Sequence, residues 1–175
     1  MSDQKKPRVF LLRHAHASPG AGISDIERPL DEQGRLACAE LAGAISAAGY
    51  RFDRILCSPA KRTRQTLELI RPALQGMPDE HEIATLYSQG MEAYFQAVRS
   101  HGSEAVLVVG HNPMTHAFAR SLASGGDEKA MAKLAKGFPT AALAVIEFDV
   151  PLAEIATGGG WLTRLFRPKK NSGAF

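Results

Sequence analysis

Apolar and polar positions along the chain fall into two kinds of segment that alternate. Residues 8–12 form a short run of apolar, β-branched and aromatic side chains bounded by Pro7 and a polar stretch. That is the pattern of a strand buried on both faces. Residues 31–48 are rich in Ala, Leu and Glu, with Asp31 placed to cap a helix that stops before Gly49. Residues 53–57 are a second short apolar run, passing directly into Ser58-Pro59. A serine there can cap a helix and a proline suits its first turn, so a helix is predicted over about 60–74, interrupted near Pro72. Residues 81–86 predict a further short strand, 91–100 a helix and 105–109 a central strand. Asn112-Pro113 repeats the cap-and-proline arrangement before a helix over 113–123. Residues 141–149 and 161–166 read as two last strands, joined by a long connection containing Pro151 and the glycines 158–160.

Strands alternating with helices predict an α/β fold, a three-layer α/β/α sandwich with a mainly parallel central sheet. At 175 residues the chain has room for one domain, 1–175, whose ends 1–7 and 168–175 are expected to be flexible. A composition of 45% apolar and 22% charged residues argues against disorder and against a disulfide-stapled scaffold. No apolar run approaches the roughly 20 residues of a spanning helix, and the start lacks the apolar core of a secretion signal. A cytoplasmic protein without a membrane anchor is expected. Cys38 and Cys57 are not in a Cys-x-x-Cys pair, so neither a disulfide framework nor a thiolate zinc site is expected. The net charge of +3 is a tail effect, carried by Arg164, Arg167, Lys169 and Lys170. Nothing aromatic is interleaved there for base stacking, so that end reads as solvated and no nucleic-acid partner is expected.

Parallel sheets place their active sites beyond the carboxyl ends of the strands. Two of the predicted strands run out into a histidine, through Arg13-His14 and Gly110-His111, and a third ends four residues before Arg62. Arg13, His14, Arg62 and His111 can therefore converge. Arginine offers a planar fork that matches phosphate oxygens and stays charged at any working pH. An imidazole with one nitrogen held unprotonated is a nucleophile. Helix starts near Ser58 and Asn112 add N–H donors. The pocket suits a phosphoryl group.

These residues lie in three blocks: Arg8-Val9-Phe10-Leu11-Leu12-Arg13-His14-Ala15, Ser58-Pro59-Ala60-Lys61-Arg62-Thr63-Arg64-Gln65-Thr66, and Val108-Val109-Gly110-His111-Asn112-Pro113. In that order they resemble the signature blocks of the histidine phosphatase superfamily (branch 1). Asp25-Ile26-Glu27-Arg28-Pro29-Leu30 resembles a segment of its small SixA-type phosphohistidine phosphatase branch. The resemblance covers residues 8–149 and implies a phosphoglycerate mutase-like fold without large cap insertions. It implies His14 as phosphoryl acceptor, with Arg13, Arg62 and His111 completing the phosphate pocket and Arg28 reaching the substrate. Asp25 is the first candidate for the proton donor, with Glu27 and Glu92 as rivals. Alanine stands at position 15, where glycine is usual after the histidine. If that position needs a positive φ, alanine is disfavoured.

The mechanism implied is two in-line transfers through a phosphohistidine, without cofactor or metal. The substrate implied is a phosphorylated protein, since a site free of large insertions is open, and the molecule is expected to be a monomer. A broad small-molecule phosphomonoesterase of the same superfamily is the second reading, and a non-catalytic phosphate-binding module the third. His14-x-His16 with His111 and His116 gives a metal-cluster alternative, disfavoured by the adjacent arginines. His16, His81, His101 and His116 otherwise read as surface or packing residues, Ser58 as a helix cap, and Cys57 as a buried apolar residue with some sensitivity to oxidation.

Overall fold

A computed structural model describes residues 5–169. It places seven strands in one sheet: β1 (Arg8–Arg13), β2 (Arg54–Cys57), β3 (Asp79–Glu82), β4 (Ala105–Gly110), β5 (Ala123–Gly126), β6 (Leu143–Phe148) and β7 (Gly160–Phe166). Their order is β3-β2-β4-β1-β6-β7-β5. The helices are α1 (Glu32–Ala48), α2 (Lys61–Ile70), the single turn α3 (Thr85–Ser88), α4 (Met91–Ser100), α5 (Met114–Leu122) and α6 (Glu128–Ala135). Among the described residues, no helix is long and apolar enough to cross a membrane.

The central strands alternate between the two faces of the sheet, as the period of two in a strand requires. Val9, Leu11, Val106 and Val108 pack with Tyr94, Phe95, Phe118 and Leu134 of α4, α5 and α6. Phe10, Leu12, Leu107 and Val109 pack with Cys38, Leu41, Ile45 and Ile70 of α1 and α2. The result is the expected three-layer α/β/α sandwich. Asp31 caps α1 by accepting from the Gly34 amide, and Gly49 closes that helix in the left-handed region.

The sheet departs from a pure parallel one at β6 alone, which runs antiparallel to both β1 and β7. Leu143, the first residue of β6, lies opposite Leu12 near the carboxyl end of β1 and opposite Phe166 at the end of β7. The loop that enters β6 therefore arrives at the same end of the sheet as the loops that leave the parallel strands.

Three expectations need correction. The third strand is Asp79–Glu82, not 81–86, and residues 85–88 turn into a helix. Asp79, Glu80, His81 and Glu82 form a charged edge strand, which pairs with β2 through its backbone and shows no apolar pattern. The helix after Ser58 ends at Ile70, and Pro72 lies in a separate 3₁₀ turn. β5 and α6 lie where the pattern predicts no element. The sequence of β5 is Ala-Ser-Gly-Gly, poor in strand formers, and it is held by pairing with β7.

Candidate active site

β1 and β4 are neighbours in register, so that Arg13 lies opposite Gly110 and both strands end together. The His14 amide then donates to the Gly110 carbonyl at 3.1 Å. This shared ending brings together two imidazoles 97 positions apart, His14 and His111, with ring centroids 5.3 Å from one another. Both rings are buried, at 7% and 9% exposure.

The nitrogen Nδ1 of His14 lies 2.7 Å from the carbonyl oxygen of Ala15. A carbonyl only accepts, so Nδ1 carries the proton and Nε2 keeps its lone pair. Burial, reinforced by His111, Arg62 and Arg13, brings the His14 pKa down to about 3, against a weaker upward pull from its bond to Ala15. The ring is thus a neutral base at any ordinary pH. Position 15 is not in the left-handed region; among the described residues Ala141 is the one non-glycine there, at φ 58°. Alanine therefore fits at 15, buried, with its amide donating to Thr66 Oγ1 at 2.9 Å. Ala141 donates its amide to the carbonyls of both Arg13 and His14. It fixes the backbone of His14 from the loop entering β6.

Arg62 sits in the first turn of α2 and is 5% exposed. Its Nη1 donates to the Asp25 carbonyl at 2.7 Å, and its Nη2 lies 3.1 Å from Asp25 Oδ2 and 3.4 Å from His111 Nδ1. Arg13 Nη1 donates to the Phe138 carbonyl at 3.0 Å. The Nε of each arginine is buried without a hydrogen-bond partner. Unsatisfied buried donors on cationic groups call for an acceptor, and an oxyanion is the one their charge favours. His111 is held by its amide on the Tyr94 hydroxyl, 3.1 Å, and by Nε2 on Ser58 Oγ, 2.7 Å. Burial and then Arg62 lower its pKa to about 4.

Asp25 lies in a 3₁₀ turn, Asp25–Glu27. Its Oδ1 accepts from Arg28 Nε at 2.9 Å, and its Oδ2 accepts from Tyr87 at 2.9 Å as well as from Arg62. Partial burial pushes the carboxyl up, but hydrogen bonds from Tyr87, Arg62 and Arg28 outweigh it and bring its pKa to about 2. Asp25 is an acceptor in this arrangement. Glu27 is exposed, and Glu92 is engaged with Gln96 and Arg99 on the outside of α4. Of the three acidic candidates, Asp25 is the one bonded to the pocket's arginine. Arg28 joins it through Asp25 and donates to the Ser18 carbonyl.

Two capping expectations are corrected. Ser58 is 3.5 Å from the Ala60 amide but 2.7 Å from His111, and α2 begins at Lys61 without a side-chain cap. Asn112 bridges the Phe138 carbonyl and the Thr115 hydroxyl and reaches no amide of α5. Both residues organise the site floor instead. The other histidines have local partners: His16 with Asp31, His81 with Arg54, His101 with the Ala97 carbonyl and His116 with the Leu134 carbonyl. Among the described residues no group of three His, Cys, Asp or Glu could hold a metal ion. Cys57 is buried, and burial raises its thiol to about 12, which favours the protonated form. Thr66, Tyr87, Tyr94 and Phe138–Ala141 belong to the site although the sequence did not mark them. Thr66 alone lay inside a signature block.

The profile of the histidine phosphatase superfamily (branch 1) matches residues 9–86, from β1 to α3. An uncharacterized protein of Mycobacterium tuberculosis is 31% identical over 163 residues, 90% of this chain and 100% of its own length. Phosphohistidine phosphatase SixA of Escherichia coli is 29% identical over 146 residues, 81% of this chain and 86% of its own. The crystal structure of an Agrobacterium tumefaciens protein assigned as phosphohistidine phosphatase SixA superposes with a TM-score of 0.77 at 32% identity, covering 93% of this chain and 99% of that one. The chain is a phosphatase of the histidine phosphatase superfamily (branch 1), of the SixA type.

Proposed function

We propose that the protein hydrolyses phosphohistidine borne on another protein, through a phosphoryl group carried transiently on His14 Nε2. The observation that carries this reading is the pinned tautomer of His14. With Nδ1–H on the Ala15 carbonyl and a pKa of about 3, Nε2 presents a lone pair beside Arg13, Arg62 and His111. In the first step that lone pair bonds to phosphorus as the phosphorus–nitrogen bond of the substrate breaks and its imidazole, carrying a proton on the other ring nitrogen, leaves neutral. In the second, water bonds to phosphorus, the bond to His14 breaks, inorganic phosphate leaves and a base takes the water's proton. The arginines and His111 hold the equatorial oxygens through both transfers.

Asp25 is the group proposed to take that proton once Arg62 turns to the phosphoryl oxygens and releases its carboxylate, and, protonated after that release, to give one to the leaving oxygen of an ester. Arg28 is proposed to hold Asp25 in place and to meet the substrate. A transfer between two imidazoles needs little protonation of the leaving group, whereas an ester needs it strongly. The carboxylate at the pocket therefore favours a second reading, phosphomonoester hydrolysis, on the same machinery. Likeness to SixA of Escherichia coli supports the first. The expected cytoplasmic location and monomeric state accompany it.

Turnover of a phosphohistidine-bearing phosphotransfer domain should exceed that of sugar phosphates by kcat/KM, and an acid-labile, base-stable ³²P label should form on wild type but not on His14→Ala. Faster turnover of the sugar phosphates would favour the second reading. Tight phosphate binding with neither label nor turnover would overturn both.

A further inference from the structure

We propose that Ser58 is a positioning residue that selects the tautomer of His111, so that the neutral ring points an N–H at the phosphoryl group. The inference rests on the phosphate-pocket reading above and extends it to a residue with no catalytic contact of its own.

A neutral imidazole has one N–H to give, and His111 has two possible destinations for it. Nε2 faces Ser58 Oγ at 2.7 Å, and Nδ1 faces Arg62 Nη2 at 3.4 Å. Ser58 is fully buried, and among the described residues its oxygen otherwise meets only the Ala60 amide, a donor, at 3.5 Å. The serine hydrogen therefore has one acceptor within reach, His111 Nε2. If the serine donates, Nε2 holds the lone pair and Nδ1 carries the hydrogen. If instead Nε2 carries the hydrogen, a fully buried hydroxyl hydrogen has nothing to bond, which is unfavourable in such a site.

The choice has a price on the other side of the ring that a substrate removes. In the unliganded site Arg62 Nη2 points an N–H at Nδ1, and because a guanidinium cannot accept, the tautomer that Ser58 favours sets this N–H and Nδ1–H against each other as two donors until an anion enters. Their 3.4 Å separation is at the long limit for a hydrogen bond. An oxygen of a tetrahedral oxyanion placed between them accepts from both. Ser58 thus turns His111 into a donor without protonating it, and pre-arranges two convergent donors for one phosphoryl oxygen. The Tyr94 hydroxyl, which accepts the His111 amide, fixes the backbone from which this ring hangs.

The test uses the full chain with ¹⁵N-labelled histidine and sodium tungstate as the oxyanion, the His111 signals being assigned with His111→Gln. In the wild-type tungstate complex His111 should show a proton-bearing Nδ1 and a pyridine-type Nε2. Ser58→Ala should move the proton to Nε2 and weaken tungstate binding about tenfold, the loss of roughly one buried hydrogen bond. Ser58→Thr, which keeps the hydroxyl, should restore the wild-type tautomer. A merely structural serine would lower stability on substitution without moving the proton. A neutral Nε2–H ring or a doubly protonated ring in the wild-type complex overturns the proposal, as does an unchanged tautomer in Ser58→Ala. Failure of wild type to bind tungstate at all would instead overturn the phosphate-pocket reading, and this inference with it.

Discussion

Lowering the pH from 7.5 to 5.0 should destabilise the protein through the two histidines of its pocket, by an amount that can be worked out in advance. Unfolded histidine binds a proton below about pH 6.5. Folded His14 and His111 hold out to about 3 and about 4. Between these limits the unfolded state binds more protons, so stability falls as the pH falls. At pH 5.0 both rings are still neutral in the folded protein, and the loss depends almost entirely on the unfolded value. It comes to about 2 kcal/mol for each ring, about 4 for the pair. Urea unfolding followed by far-ultraviolet circular dichroism at a series of pH values measures it directly. The comparison is with a His14→Gln/His111→Gln double variant, in which the contribution of every other group cancels. The Asp25 carboxyl, held at about 2, titrates below this window and loses its own stabilising contribution only under stronger acid. Wild type should therefore lose about 4 kcal/mol more than the variant across the range. Parallel profiles would mean that the buried histidines are solvated enough to titrate normally, and the argument for a neutral nucleophile would fall with them.

Other perturbations reach the same site from different sides. Thr66→Val keeps shape but leaves the buried Ala15 amide without its acceptor; a loss of about 1–3 kcal/mol in urea unfolding and a reduced kcat are expected. Gly110→Ala would put a methyl 2.3 Å from the Tyr94 hydroxyl, and overpacking of about 1–3 kcal/mol should follow. Adding Tyr94→Phe should recover part of that, and strictly additive losses in the double variant would contradict the clash. Asp25→Asn should slow the first transfer, from an alkyl phosphate to His14 and followed as single-turnover label formation, by about 100-fold while barely changing the same transfer from phosphohistidine. Equal losses in that first transfer would deny Asp25 its role as acid to the ester oxygen.

The parts of this site that the sequence displays are those whose backbone follows a strand. Arg13, His14 and His111 are legible because β1 and β4 are short apolar runs that end where the chemistry begins. Arg62 follows from its spacing after β2. The hidden parts depend on tertiary placement that no local pattern records. Tyr87 lies in a one-turn helix beyond a charged edge strand, and Tyr94 looks like any aromatic on the apolar face of α4. Ser58 and Asn112 carry sequence contexts that suit helix caps, and each is instead drawn off by a partner across the floor, His111 or the Phe138 carbonyl. The loop Phe138–Ala141 was out of sight for a topological reason. It touches Arg13 and His14 only because β6 is reversed, and strand direction is not written in a hydropathy pattern.

The polarity of the outer strands also decides how the protein can be handled. The chain enters β1 at the foot of the sheet and, since β7 runs parallel to β1, leaves from the rim where the pocket opens. A reporter or surface tether joined ahead of Arg8 hangs about 20 Å from the chemistry, the length of one strand. The same cargo joined behind Phe166 would crowd the doorway through which a phosphorylated substrate has to come.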